Sequence, residues 1–258
     1  LAGTFACREY VHASPLTDRL RNAALKSPDG FKQLDALHNG KPLHVVMMDW
    51  EGDLVTTLTT TSNYYSSAHY TTLAGVNQWD QFSTSTPRTD VRTYAEVIRA
   101  RSGVPLEELT MVLPAQVAVI LPEHPDVVAR MQYVQRAERV DIGPDKLAQY
   151  FGVKEVLVGG ALEVSSNPGA TTETVSHLWG KNVILLHIEE GQPNPDLGVS
   201  SSVVTASMSG TTLPVARTFP EYDPPGTVYE QSMIAGIALG APTGEGLRTA
   251  ALIQAAIS

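Results

Sequence analysis

His124 and Asp126 stand two residues apart in LPEHPDVVARMQYVQ (121–135), bracketed by Pro122 and Pro125 and followed by Arg130, Tyr133 and Arg136. A histidine next to acids in a proline-bent corner has the residue types for a metal ligand set or a proton relay. The same residues also suit an architectural corner. Asp126 there would be the N-cap of the following helix, which accounts for the acid without a metal. On that reading the corner carries no catalysis.

Other chemistry-bearing groups do not converge in the sequence. His187 and Glu189 alternate on a strand and would face one side, but two ligands do not make a metal site. Ser176 and His177 are adjacent, the wrong geometry for a nucleophile and its base. Glu107-Glu108 and Glu189-Glu190 are neighbouring acids that point apart, so both pairs read as solvated. No GxSxG, HExxH or GxGxxG pattern occurs. Gly180-Lys181 is followed by Asn182, so no phosphate-cradling loop forms. VVMMDWE (45–51) ends in an acid like a nucleotide-site strand, but its spacing is helical. Cys7 is alone and has no partner for a zinc pair or a disulfide. Tyr64, Tyr65, Tyr70, Trp79 and Phe82 lack interleaved Lys or Arg, which makes a base-stacking surface a poor reading. They fit packing at a subunit interface or inside their own subunit. No catalytic, cofactor-binding or metal-binding residue is assigned.

The composition is that of a folded chain short of charge. Its 258 residues allow one large domain or two small ones, and 43% are hydrophobic. Charged residues make up 17%, against about 25% in ordinary soluble domains, which fits a surface partly hidden in subunit contacts. With 27 acids and 18 bases the net charge is −9, which argues against a groove gripping nucleic acid phosphates. No apolar stretch reaches the length of a membrane span. The chain begins at Leu1 instead of Met, so residues are expected to precede it.

The elements follow from periodicity. Leu43, Met47, Trp50, Leu54 and Leu58 form one helical face, and Gly40-Lys41-Pro42 places the helix start at Pro42. A second helix runs from Arg88 to Arg101 with Val91, Tyr94, Ala95 and Ile98 inward, stopped by Gly103 and Pro105. LTMVL (109–113) reads as a strand. Residues 114–121, 126–133 and 144–151 read as short helices. Strands are expected at 154–164, 182–190, 199–207 and 227–240. Helices come first and strands later, which predicts an α+β fold.

A set of blocks in fixed order carries a resemblance. They are TTLAGVNQWDQFSTSTPRTDVRTYAEVIRARSG, LTMVLPAQVAVILPEHPDVVARMQYV, DKLAQYFGVKEVLVGGALEVSS and HLWGKNVILLHI, together spanning about residues 71–188. No single block is specific, but their order and wording together resemble the major capsid proteins of tailed bacteriophages with the Hong Kong 97-type fold. GTVYEQSMIAGIALGAP is similar to the long strand returning to the periphery in that fold. FACREYVHASPLTDRLRNAAL is similar to the lead-in to its spine helix.

The resemblance implies a peripheral domain over 1–89 with a spine helix at about 42–60, an axial domain over 90–215, and a return to the periphery over 216–258. The N-terminal arm and extended loop of the family have no candidate here. The implied function is a non-enzymatic subunit that assembles into hexamers and pentamers of an icosahedral shell. The shell would enclose double-stranded DNA without reading its sequence. Self-association is the main partnership, with room for portal or decoration proteins. No cofactor and no membrane are implied, and the location would be the virion capsid, assembled in the host cytoplasm. Two alternatives stay open: an encapsulin-like nanocompartment shell subunit, and an α+β enzyme with no linear motif. The stretch RMQYVQRAERVDIG (130–143) is expected at or near subunit contacts, because Arg130, Arg136 and Arg139 have few obvious acid partners in the chain.

Overall fold

The computed structural model describes residues 6–26, 29–135, 142–164, 172, 174–188, 202–207, 214–240 and 246–258. The elements in chain order are β1 (Arg8–Thr17), α1 (Asp18–Ala24), α2 (Gly30–Thr59), β2 (Tyr70–Thr72), α3 (Pro87–Ser102) and β3 (Leu109–Pro114). They continue with α4 (Ala115–Ile120), α5 (Pro125–Gln135), α6 (Pro144–Phe151), β4 (Glu155–Gly159), β5 (Leu162–Val164) and β6 (Val175–His177). The last are β7 (Val183–His187), β8 (Val203–Ser207), β9 (Val215–Tyr222), β10 (Pro225–Leu239) and β11 (Ala250–Gln254). Helices and sheets are mixed, so the α+β expectation holds.

The chain divides into two compact units, one of Thr4–Leu54 with Thr205–Ala238 and the other of Val55–Val204 with Leu239–Ser258. These boundaries differ from the expected ones at 89/90 and 215/216. Residues 64–79 pack with the second unit because Tyr64 and Trp79 are buried there, and because β2 pairs with β11 in parallel.

In the first unit the 15-residue β10 is the spine of the sheet. It pairs antiparallel with β1, from Arg8↔Ala235 to Thr17↔Gly226, and antiparallel with β9. Strand β8 also lies beside β10. Tyr10, Met233 and Ala235 from the sheet bury Val46 of α2, with Trp50 packed at the margin. The helix does not begin at Pro42, as its residues suggested, but twelve residues earlier at Gly30. Proline cannot donate a backbone bond, yet Pro42 is buried on the same inward side as Val46, and the helix runs through it. The half upstream of Pro42 is tied to the sheet by side chains. Tyr229 donates to Asp35, Gln231 Nε2 donates to Asn39 Oδ1 at 3.1 Å, and Ser14 bonds His38 Nδ1 at 2.9 Å. Downstream, Asp53 accepts from Arg8 at 2.8 Å and from the Tyr10 hydroxyl at 2.7 Å. Burial and that bond push Tyr10 up to about 12. The expected face of α2 was only partly right: Leu58 is buried, but Leu43 and Met47 are each 41% exposed.

The second unit is built on a five-stranded mixed sheet in the order β2-β11-β7-β3-β4. Strands β3 and β7 are buried at every position, the pattern of strands covered on both faces. Val112 of β3 sits opposite Ile184 of β7, and Leu252 of β11 opposite the same Ile184. Each such fully buried aliphatic side chain contributes roughly 1.5–3 kcal/mol. Helix α3 presents Val91, Ala95 and Ile98 to this core, as its spacing predicts, and Gly103 ends it in the left-handed region at φ 78°. Helix α6 adds Leu147, Tyr150 and Phe151.

The expected strand over 154–164 is split into β4 and β5 at Gly160 and Ala161, which belong to neither. Gly159 ends β4, still paired with Pro114 of β3. A Cβ at Gly159 would fall 2.5 Å from Trp179 Cδ1, so the indole occupies the space where a side chain would stand. Beyond it, β5 pairs with β6 as a separate two-stranded ribbon, Leu162 opposite His177.

Candidate functional site

The His-Pro-Asp corner is an internal joint. His124 is 2% exposed. Its backbone carbonyl accepts from Val127 and Val128 at 3.0 Å each, so His124 itself is the N-cap of α5. Its ring completes the cap, with Nδ1 accepting from the Asp126 N–H at 3.2 Å. The expectation that Asp126 caps this helix is therefore corrected. Pro125 takes the first helical position, which pushes Asp126 one place inward, where its charge favours the positive helix end. Because Nδ1 accepts, the proton of the neutral ring is on Nε2, which donates to Ser85 Oγ at 3.1 Å. Phe82 packs edge-on against the ring at 5.6 Å between centroids. Burial holds the His124 imidazole below its usual range. Both ring nitrogens are engaged in structure, so the histidine is not free to serve as a ligand or base.

The remaining chemistry-bearing groups are also separate. Glu107 and Glu108 are exposed in a turn before β3. His187 is buried, its Nε2 lying 4.0 Å from a Glu108 carboxylate oxygen, while Glu189 and Glu190 lie outside the described residues. Ser176 bonds Glu163 across the β5–β6 ribbon and does not engage its neighbour His177 as a base. Cys7 is half-buried and in no disulfide. Among the described residues, no group of three or more His, Cys, Asp or Glu is placed to hold a metal. No described helix is long and apolar enough to cross a membrane.

The aromatics divide as well. Tyr64 and Trp79 are buried within their own subunit, whereas Phe82 is 39% exposed. Of the three arginines expected at subunit contacts, Arg130 lies exposed on α5. Arg136 and Arg139 lie outside the described residues. Arg130 shares a cleft with Arg88 of α3 and Tyr150 of α6. Sequence reasoning missed these two because the cleft joins three helices whose side chains have no common linear pattern.

No family model and no curated protein matches the sequence. Solved structures match along nearly its whole length. The crystal structure of a phage-related protein from Bordetella bronchiseptica RB50 matches with a TM-score of 0.72 at 19% identity, over 98% of this chain and 77% of that one. The capsid of Cyanophage P-SCSP1u matches at 0.54 and 10% identity, over 96% and 72%. This chain has the Hong Kong 97-type capsid fold. The holo-SrpI encapsulin complex from Synechococcus elongatus PCC 7942 matches at 0.52 and 10% identity, over 96% and 73%. The blocks that carried the resemblance turn out to be packing anchors of this capsid fold. Trp79 stacks on Phe151, His124 caps α5, and Trp179 fills the space over Gly159.

Proposed function

We propose that the chain is a major capsid protein, a structural subunit that assembles into hexamers and pentamers of an icosahedral shell around the double-stranded DNA of a tailed phage. The observation that carries this reading is the capsid fold shared over 96–98% of the chain. Two further features support it. Among the described residues, the groups that might have done chemistry are engaged in packing or stand apart, and the role proposed is structural. The net charge of −9 suits a wall that encloses DNA without gripping it. In this reading the unit of Thr4–Leu54 and Thr205–Ala238 is the peripheral domain with α2 as spine helix, and the unit of Val55–Val204 and Leu239–Ser258 is the axial domain. The stretch 130–143, with Arg130, Arg136 and Arg139, sits at or near subunit contacts. The shell is assembled in the host cytoplasm and becomes the virion capsid, where portal or decoration proteins join it.

A second reading is an encapsulin-like compartment, favoured by the TM-scores of 0.52 for the encapsulin and 0.54 for the cyanophage capsid, which scarcely differ. Negative-stain microscopy of the purified chain should show closed particles. Nucleic acid extracted from native particles separates the readings: genome-length DNA supports the phage, and a protein cargo supports the compartment. A small species under all assembly conditions would remove both.

A further inference from the structure

The cleft shared by α3, α5 and α6 is lined by charge. Its walls include Arg88, Asp126, Arg130, Met131, Gln149 and Tyr150, around a volume of about 580 Å³. Among the described residues, two guanidinium groups and a single carboxylate line it. Among the described residues neither guanidinium has an ion-pair partner. Arg88 lies over the Tyr150 ring at 5.7 Å, and both its Nε and the Tyr150 hydroxyl are buried without a hydrogen-bond partner. Burial lowers Arg88, and the charges of Arg130 and Arg92 lower it further. Burial, helped by Asp126, raises the Tyr150 phenol, which stays a proton donor.

Each of these features costs stability in the isolated chain. A half-buried guanidinium loses water without gaining a partner, and two like charges repel across the cleft. Buried donors without acceptors are rare in native proteins and call for a cause. A bound anion supplies one. The forked guanidinium and the phenol O–H both donate, which fits a planar acceptor pair. Asp126 leaves the cleft with a small positive excess, which suits a single carboxylate better than a doubly charged phosphate.

We propose that this cleft binds a carboxylate, and that in the assembled protein the carboxylate belongs to an Asp or Glu side chain of a second copy of the chain. The second half rests on the shell reading. Each copy carries 27 acids against 18 bases, so copies repel through their net charge of −9. A local cationic site that receives a neighbour's acid offsets that repulsion, and this cleft has that chemistry.

The test has two arms. In the first, the purified full chain is titrated with sodium propionate, a single carboxylate, at low salt and followed by calorimetry. Saturable binding is expected, weakened at least ten-fold in Arg88→Gln and in Arg130→Gln and retained in Arg99→Gln. Arg130 is exposed, so its variant should fold, with circular dichroism as the check. No saturable binding, or wild-type binding by Arg130→Gln, overturns the site. In the second arm, particle yield is measured by sedimentation. Arg130→Gln should lower it several-fold, and propionate should compete with wild-type assembly. Unchanged yield together with lost propionate binding overturns the second copy as the source. A wild-type chain that stays small under every condition sinks the shell reading and that source with it, while the propionate series still decides the carboxylate site.

Discussion

Trp79 and Phe151 lie ring over ring, 6.3 Å between centroids and 27° apart, at the centre of the larger apolar core. Trp79 is fully buried and comes from a segment with little regular structure, so it anchors that segment to the sheet and helices around it. Its Nε1 donates to Asp90 Oδ2 at 2.9 Å, and its backbone N–H donates to the Ala256 carbonyl at 2.6 Å. Burial raises the Asp90 carboxyl, and the indole bond opposes that rise.

Replacing the indole therefore has two separable effects. Trp79→Ala should cost about 3–5 kcal/mol, the range for emptying a large aromatic site. Trp79→Phe keeps most of the packing but strips Asp90 of the indole donor, at about 1–3 kcal/mol. Chemical denaturation of both variants measures the difference. A Trp79→Phe protein as stable as wild type would mean that the Asp90 bond adds nothing.

What the sequence made legible was whatever depends on neighbours along the chain. The Val91, Ala95 and Ile98 face of α3 and its stop at Gly103 follow from spacing and one left-handed residue. The apolar runs of β3 and β7 follow from composition. Three features were missed, and not for one reason. The helix upstream of Pro42 is tied to β10 through Asp35 and Tyr229, 194 residues apart. The strand over 154–164 is interrupted at Gly160 and Ala161, beyond which β5 leaves the five-stranded sheet and pairs with β6. The N-cap is His124 and not Asp126 because Pro125, next along the chain, takes the first helical position. The cleft had Arg130 as its one trace in the sequence, because Arg88, Arg130 and Tyr150 sit on three helices that meet only in the fold.

The upstream half of α2 gives a second prediction. If side-chain ties to β10 hold the helix together past a proline, then removing one should loosen residues 30–41 selectively. Tyr229→Phe deletes the hydroxyl that donates to Asp35 and leaves the ring in place. A loss of about 1 kcal/mol is expected, in the ordinary range for one hydrogen bond, or somewhat more for a bond to a charged acceptor. Amide exchange should speed up in 30–41 more than in 46–58. Uniform exchange across α2 would show that helix propensity, and not the sheet, maintains the upstream turns.

His124 gives a pH dependence whose sign is fixed by its hydrogen bonds. The folded protein holds the ring neutral, because Nδ1 must accept from Asp126 and burial disfavours the cation. The unfolded chain titrates near 6.5. The folded value lies below that, so as pH falls through 6.5 the unfolded state takes up a proton that the folded state resists. The stabilising contribution is complete above the unfolded value and is lost as pH drops below it. His38 and His69 are lowered by burial as well, so the wild-type profile sums several groups. His124→Asn isolates one of them: asparagine caps helices well and does not titrate. Denaturation midpoints measured from pH 7.5 to 5 should fall more steeply for wild type than for the variant. Parallel profiles over that range would mean that His124 caps α5 without contributing to the acid sensitivity of the fold.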